Sequence, residues 1–251
     1  MNKLLISVRD AEEARIVAAA GVDLVDIKEP ALGSLGAADP SVWQEVVAEI
    51  NGAVPVSVAL GEFRELSRAF EQGSVGEGSV GEGFFAPGAL DGIQFVKCGF
   101  AQCDDNLDIF RLWNDFVSGL PPHVSAVSVV YADWKNAAAP HPDEVLTQTQ
   151  QAPVVLVDTY RKDGSHLFDA LTARELVDII QRCRSRGQMI VLGGSLRGDL
   201  ITAALKLQAD FVAVRGAVCG EDRSARIDAK LVGDLVKQIE QFNLDCINAE
   251  A

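Results

Sequence analysis

Lysines and an aspartate stand at the ends of apolar runs in this chain. Lys28 and Lys97 each end such a run. Asp158 ends another run, and Lys162 lies four residues after Asp158. A lysine that attacks a carbonyl must be neutral, and burial together with a second ammonium nearby lowers its pKa. A carboxylate is also needed to move protons during imine formation and enolisation. These residue types predict Schiff-base chemistry, with Lys28 as the attacking amine.

These side chains can act together only if the fold brings the ends of their apolar runs to one place. We predict eight strand–helix units, and the runs are continuously apolar, as in a parallel sheet whose outer face is covered. The predicted strands are 4–8, 23–28, 54–60, 92–97, 124–131, 153–158, 188–192 and 210–214. The predicted helices are 11–20, 40–50, 62–71, 104–117, 142–150, 172–185, 197–207 and 228–242.

This alternation predicts an α/β fold made of one closed (β/α)8 TIM barrel that spans residues 1–251. An open doubly wound sheet is the alternative, but the eighth unit and the lack of a GxGxxG sequence after the first strand count against it. The segment 74–88 contains SVGEG twice, and we interpret it as a Gly/Glu-rich insertion loop at the surface. Its glutamates argue against phosphate binding there.

In a TIM barrel the active site lies at the mouth formed by the carboxyl ends of the strands. This mouth would hold the three lysines and Asp158, an arginine after the first strand, and small-residue turns after the seventh and eighth strands. Such turns commonly bind phosphate through backbone N–H groups. We therefore predict a positively charged pocket for a phosphorylated substrate. Its predicted phosphate-binding residues are Arg9, Gly193, Gly194, Ser195, Arg215 and Gly216.

Each of these positions also has a plainer explanation. A lysine after a strand is most often a solvated loop residue. Asp158 could cap its loop, and Arg215 could bridge to a neighbouring strand end. Asp26, inside the second strand, and Asp23, at its base, could be structural partners of arginines. Several amines at one mouth nevertheless favour a functional site, because clustered ionisable groups perturb one another and such sites are usually functional.

The composition limits the partners. The net charge is −14 and the isoelectric point is about 4.6, which argues against nucleic acid and against an anionic membrane surface. No apolar run approaches the length of a membrane span. We interpret the five scattered cysteines as reduced thiols of a cytoplasmic protein, and no motif predicts a metal site. Imine chemistry needs no cofactor, and the oligomeric state stays open, a homo-oligomer included.

Blocks along almost the whole chain resemble the (5-formylfuran-3-yl)methyl phosphate synthase family, whose enzymes form the furan of methanofuran. The blocks around Lys28 and after Leu156 are specific, whereas the strand cores are not. The blocks are LLISVRDAEEA from Leu4, GVDLVDIKEPALGSLGAADP from Gly21, FVKCG from Phe95, VVYADW from Val129, LVDTYRKDG from Leu156 and AVRGAVC from Ala213.

The resemblance implies a barrel that condenses two molecules of glyceraldehyde 3-phosphate into 4-(hydroxymethyl)-2-furancarboxaldehyde phosphate, with loss of phosphate and water. It implies Lys28 as the Schiff-base lysine, Lys97 as a second lysine, and Asp158 with Lys162 as the remaining catalytic pair. It leaves open whether Lys97 or Asp158 is the base, which triose forms the imine, and which furan-containing carrier the product feeds. Two other functions remain: a class I-type aldolase for another phosphorylated aldehyde, and a barrel that only binds a phosphorylated metabolite.

Overall fold

The computed structural model describes residues 1–71, 88–104, 108–220 and 222–250. Eight parallel strands form a closed barrel in chain order, with the last strand pairing back to the first, so the predicted TIM barrel is confirmed. The predicted insertion loop 74–88 lies outside the described residues except for Gly88. The strands are Lys3–Val8 (β1), Leu24–Ile27 (β2), Val56–Glu62 (β3), Phe95–Gly99 (β4), Ser125–Tyr131 (β5), Val154–Asp158 (β6), Met189–Leu192 (β7) and Phe211–Val214 (β8).

Helices surround the barrel, and short 3-10 turns at Pro30–Leu32 and Gly216–Val218 follow β2 and β8. No helix among the described residues is both long and apolar enough to cross a membrane. The helices are Ala11–Ala19 (α1), Pro40–Ile50 (α2), Phe63–Glu71 (α3), Ile109–Ser118 (α4), Trp134–Ala137 (α5), Pro142–Gln148 (α6), Leu167–Ala170 (α7), Ala173–Ser185 (α8), Asp199–Lys206 (α9) and Ala229–Glu250 (α10).

Local signals in the sequence fix several helix starts. Asp39 accepts a hydrogen bond from the N–H of Ser41 at the start of α2, where Pro40 has no N–H to leave unpaired. The side chains of Thr172 and Glu175 bond each other's backbone N–H at the start of α8. These caps satisfy N–H groups that have no partner inside a helix, which is why these boundaries were predictable.

Alternation along each strand divides its side chains between two cores. On β1, Ile6 packs outward against the helices, whereas Leu5 belongs to the inner core of the barrel. On β2, Val25 packs outward and Leu24 packs inward. Because side chains in a strand repeat with a period of two, the inward series of β2 continues through Asp26 to Lys28. The strand thereby delivers Lys28 to the mouth.

The third unit differs from its prediction. Glu62 was expected to open a helix, but β3 continues through it, and the register against β4 shifts between Ala59 and Glu62. Gly61 has a φ of +85°, a conformation that favours glycine, and it allows the strand to bulge and continue. Two further departures lie elsewhere: α5 and α7 are short helices in predicted loops, and α10 is longer than expected.

Candidate active site

Asp26 and Lys97 form a buried ion pair inside the barrel. Lys97 Nζ lies 2.7 Å from Asp26 Oδ1, and the two side chains are 5% and 0% exposed. The hydroxyls of Ser7 and Ser57 also donate to the Asp26 carboxylate, at 2.9 and 2.5 Å. Both carboxylate oxygens are therefore satisfied, and they fix the position of the Lys97 amine. The plainer explanation of Asp26 as a partner of an arginine does not hold, because the ion-pair partner of Asp26 among the described residues is Lys97 on β4.

Asp158, at the end of β6, is held as a carboxylate. Lys162 Nζ lies 2.9 Å from Asp158 Oδ1, which also accepts the N–H of Thr159 at 2.7 Å. Burial alone would raise the pKa of Asp158. The ammonium groups of Lys162 and Lys28 outweigh burial and bring that pKa well below its ordinary value. Asp158 is therefore ionised at neutral pH.

Lys28 is the buried amine of the site. Burial lowers its pKa most, and Lys97 and Lys162 lower it further, whereas Asp158 and Asp26 raise it; the resulting pKa is about 7. At neutral pH a substantial share of Lys28 is therefore uncharged, and this is the form that attacks carbonyl groups.

The predicted catalytic residues Lys28, Lys97, Asp158 and Lys162 line one cavity of about 240 Å³. The predicted small residues line the same cavity: Gly193, Gly194, Ser195 and Gly216. The carboxyl ends of β2, β4, β6, β7 and β8 all reach this cavity, as expected for a barrel mouth.

The turn after β7 offers backbone N–H groups to the cavity. Gly194 has a φ of +95° and Ser195 a φ of +55°, so the chain turns sharply here. A Cβ on Gly194 would lie 3.1 Å from Leu167 Cβ, which leaves little room for any side chain. Among the described residues, the N–H groups of Gly194, Ser195 and Gly216 have no hydrogen-bond acceptor. Such groups are available to an anion.

Arg215 lines the cavity, but its guanidinium is hydrogen-bonded to other groups of the protein. It donates to the Glu13 carboxylate at 2.9 and 3.3 Å and to the carbonyls of Ser7, Arg223 and Ala225. These bonds use all five N–H groups of an arginine. This departs from the prediction that Arg215 binds phosphate, and the contacts instead tie β8 to α1 and β1.

Arg9 departs from its prediction as well. It is not among the residues that line the cavity. Its guanidinium contacts Glu13 at 3.3 Å and donates to the carbonyl of Ser224 at 2.7 Å. Glu13 thus joins both arginines, which explains why this glutamate is almost fully buried.

Arg223 supplies a cation that the sequence interpretation missed. It lies in the segment after β8, lines the cavity, and donates to the carbonyl of Gly33 at 3.2 Å. Burial lowers its pKa, while the nearby carboxylate of Asp158 raises it. Its position places a guanidinium on the same side of the cavity as the turns after β7 and β8.

The loop after β2 crosses part of the mouth. The N–H of Glu29 donates to the carbonyl of Gly36 at 2.8 Å, and the buried Ser34 hydroxyl lies 2.9 Å from the carbonyl of Thr159 and 3.2 Å from Asp158 Oδ2. A Cβ on Gly36 would lie 2.2 Å from the carbonyl oxygen of Glu29, so this position requires glycine. The loop ties β2 to the end of β6.

Comparison with known proteins decides the family. A family model described as 4-HFC-P synthase matches residues 4–236. The chain belongs to the 4-HFC-P synthase family. A (5-formylfuran-3-yl)methyl phosphate synthase of Methanosarcina mazei is 32% identical over 243 residues, which cover 95% of this chain and 99% of that protein. A putative enzyme of the same name from Streptomyces griseus is 31% identical over 238 residues, with 91% of each chain covered.

Solved structures confirm the fold of this 4-HFC-P synthase family member. Phosphoribosyl anthranilate isomerase from Thermotoga maritima matches with a TM-score of 0.62 and 16% identity, covering 96% of this chain and 100% of that one. Thiamine phosphate pyrophosphorylase from Pyrococcus furiosus matches with a TM-score of 0.56 and 15% identity, covering 96% of each chain. At this level of identity the likeness concerns the barrel alone.

The family assignment confirms the resemblance found in the sequence, and the chain is an enzyme of this family. Two residues of the site escaped the sequence interpretation for different reasons. Asp26 carried a signal, since it shares the inward face of β2 with Lys28. Arg223 carried none, because it lies eight residues beyond Arg215 in a segment whose path a sequence does not reveal.

Proposed function

We propose that this enzyme condenses two molecules of glyceraldehyde 3-phosphate into (5-formylfuran-3-yl)methyl phosphate through a Schiff base on Lys28. One observation carries the proposal: Lys28 is a buried amine with a pKa of about 7, in a cavity that also holds Lys97, Asp158 and Lys162. The names of the relatives supply the product. The substrate follows from the resemblance and from the atoms of that product.

The stoichiometry fits two trioses. Two molecules of glyceraldehyde 3-phosphate contain the atoms of the furan product plus one phosphoric acid and two waters. The condensation is therefore a sequence of additions and eliminations without net oxidation. Each elimination needs a base for a carbon-bound proton, and each departing hydroxyl needs an acid.

Lys28 would start the reaction on the first triose. Its neutral amine adds to the aldehyde and water leaves, giving an imine. Loss of the proton at C2 then gives an enamine whose C2 is nucleophilic. Asp158 is the base that the surroundings support best, because it is ionised and is the strongest charge acting on Lys28. Lys162 would keep it ionised between turnovers.

The second triose would supply the electrophile. Loss of its C2 proton and of phosphate from C3 gives an unsaturated aldehyde, and the enamine adds to that C3. The C2 oxygen of the second triose then closes the ring on the imine carbon. Loss of one water and release of the Lys28 amine complete the aromatic furan. The first triose keeps its phosphate, and the atoms balance with two waters and one phosphate lost.

Phosphate binding would fall on the turns after β7 and β8. The N–H groups of Gly194, Ser195 and Gly216, which have no acceptor in the described part of the chain, support this role, and Arg223 adds a positive charge to the cavity. Gly193 shapes the turn, because its N–H is already bound to the carbonyl of Val157 at 2.8 Å.

Borohydride trapping tests the proposal. The enzyme is incubated with glyceraldehyde 3-phosphate and borohydride, and digestion should place a triose adduct on Lys28. Without borohydride, a furan aldehyde should appear by its near-ultraviolet absorbance and by mass. Lys28→Arg should abolish both products, whereas Lys230→Arg, a matched change at a side chain that is 83% exposed, should change neither. Full activity of Lys28→Arg would sink the imine, and an aldol product without a furan would indicate the aldolase instead.

A further inference from the structure

Glu62 and Tyr131 form a polar pair at the mouth that the steps above do not use. Tyr131 Oη donates to Glu62 Oε1 at 2.6 Å, and the N–H of Ala101 donates to Glu62 Oε2 at 2.9 Å. The tyrosine is 2% exposed, whereas the glutamate is partly exposed. The carboxyl group is therefore oriented by two donors, on a residue that is not fully buried.

The strand register places this pair beside the catalytic residues. Glu62 is paired with Gly99, which follows Lys97 by two residues on the same inward face of β4. Two residues of a strand span roughly 7 Å, so the carboxyl group belongs to the level above the Lys97 amine. Tyr131 is paired with Asp158 on β6. The register thus places Glu62 one level above Lys97 and Tyr131 beside Asp158.

Gly99 keeps the space for this pair. A Cβ at this position would lie 2.2 Å from Tyr131 Oη and 2.3 Å from Glu62 Oε2. Any side chain on residue 99 would displace the carboxyl group or the phenol. The bulge at Gly61 is the second backbone feature that turns Glu62 toward the barrel axis.

The pKa values of this pair shift in the opposite direction to that of Asp158. Burial raises the pKa of Glu62, and the charges of Glu65 and Asp158 raise it further, against the hydrogen bonds from Tyr131 and Ala101. Burial also raises the pKa of Tyr131 well above its ordinary value, so its hydroxyl remains a donor. A site with one carboxyl group biased toward the acid and another held as the base is the arrangement that acid–base catalysis uses.

We propose that Glu62 is the proton donor of the dehydration that completes the furan, with Tyr131 as the residue that positions it. In this step a ring C–H gives its proton to a base such as Asp158, and a C=C bond forms. The neighbouring C–O bond breaks, and the hydroxyl leaves as water with the proton of Glu62. Glu62 then recovers a proton from solvent, so no oxidant or reductant is needed.

The proposal requires the intermediate to extend beyond the cavity that holds the lysines. Glu62 does not line the cavity that holds the lysines, which has room on the β7 and β8 side. The six-carbon adduct on Lys28 has twice as many carbon atoms as one triose, and in this proposal its far end lies past Lys97 toward β3. This inference rests on the proposed function, since only a dehydrating reaction needs such a donor.

Glu62→Gln tests the inference, because glutamine keeps the size and the hydrogen-bond acceptor but cannot donate a catalytic proton. We expect furan formation to fall about 100-fold, within the range of general acid catalysis. Triose trapping on Lys28 should stay within about twofold of wild type, since a general acid acts on the later steps. A six-carbon adduct on Lys28 should accumulate under borohydride. Furan formation by wild type should decline as pH rises through the Glu62 pKa, and this decline should be absent in Glu62→Gln.

The controls separate catalysis from folding. Glu45→Gln, an exposed glutamate on α2, should behave as wild type. Tyr131→Phe keeps the ring and removes the hydroxyl, so it should retain trapping and lose about tenfold in furan formation even where Glu62→Gln folds poorly. Wild-type furan formation and pH dependence in Glu62→Gln would overturn the inference, and so would equal losses of trapping and furan. A wild-type enzyme that forms no Lys28 adduct or no furan would instead overturn the proposed function itself.

Discussion

Asp158 and Glu62 are two carboxyl groups at one barrel mouth with opposite surroundings. Asp158 lies 2.9 Å from the Lys162 ammonium and is also influenced by Lys28. Glu62 has a phenol and one backbone N–H as its hydrogen-bond partners, and no lysine or arginine among the described residues forms an ion pair with it. Asp158 is 5% exposed and Glu62 is partly exposed, yet burial raises the pKa of both groups, so burial alone does not distinguish them.

The difference shows that the partners of a carboxyl group decide the direction in which its pKa shifts. Burial raises the pKa of both groups, but two ammonium groups reverse that effect for Asp158, whereas neutral donors do not reverse it for Glu62. The lysines therefore act in two ways at this mouth. They lower the pKa of Lys28, which frees its amine, and they keep Asp158 ionised.

Asp158→Asn gives the largest expected effect. Furan formation should fall about 10³-fold, because the variant lacks the base and the partner of Lys162. The Asp158 carboxylate raises the pKa of Lys28, so its loss should bring that pKa below about 7. Trapping by borohydride should therefore begin at lower pH in the variant than in wild type. The measurement is the yield of the Lys28 adduct across a pH series.

The matched control for this variant is Asp163→Asn. Asp163 lies in the same loop but is exposed and bonds Ser165 rather than a lysine. Its replacement should leave the pH series unchanged. If trapping in Asp158→Asn begins at higher pH than in wild type, or at the same pH, the electrostatic role assigned to Asp158 is contradicted.

Lys97→Met should shift the pH dependence of Lys28 trapping in the opposite direction, toward higher pH. The Lys97 ammonium lowers the pKa of Lys28, so its removal raises that pKa and trapping should begin at higher pH. The variant also leaves Asp26, which is 0% exposed, without its ion-pair partner. Loss of one partner of a buried pair should lower the free energy of unfolding by about 3 kcal/mol, measured by urea denaturation at neutral pH.

A second substitution identifies the cause of that loss. Lys97→Met with Asp26→Asn removes the stranded charge but keeps an acceptor for the hydroxyls of Ser7 and Ser57. It should recover most of the free energy of unfolding without restoring furan formation. Equal stability of the single and double variants would mean that Asp26 is not what makes Lys97→Met unstable.

Much of this site could be predicted from the sequence because the position of an active site in a parallel barrel follows from the positions of the strands. Apolar runs become strands, and their carboxyl ends meet at one mouth. Lys28, Lys97 and Asp158 end such runs, so their meeting in one cavity followed from the fold alone. The turn at Gly194 and Ser195 followed in the same way, since it comes directly after β7.

Other parts depend on pairings that one sequence does not display. Asp26 reaches Lys97 across β3, where the inward residues are Ser57 and Ala59, and nothing in the sequence links β2 to β4. Glu62 was assigned to a helix because Gly61 looked like the end of a strand rather than a bulge within it. The contacts of Arg9 and Arg215 were not foreseen, because the sequence does not show that Glu13 accepts hydrogen bonds from both arginines.

Gly99→Ala should have a smaller effect on furan formation. It tests the surroundings of Glu62 and Tyr131 separately from those of the lysines. The added methyl group would fall within 2.3 Å of both Tyr131 Oη and Glu62 Oε2, so one of them must move. We expect the free energy of unfolding to fall by about 1 to 2 kcal/mol, as for other overpacked sites. Furan formation should decrease, whereas Lys28 trapping and its pH dependence should stay as in wild type.

Gly233→Ala is the matched control, because Gly233 lies in α10 and a Cβ added there would point into open space. Alanine should stabilise that helix by up to about 1 kcal/mol and leave both reactions unchanged. A Gly99→Ala enzyme that forms furan at the wild-type rate would show that the chemistry needs only the lysine side of the mouth. A shift in the pH dependence of Lys28 trapping would instead show that the surroundings of Glu62 and those of Asp158 are not independent. The change next to Glu62 would then have altered the pKa of Lys28.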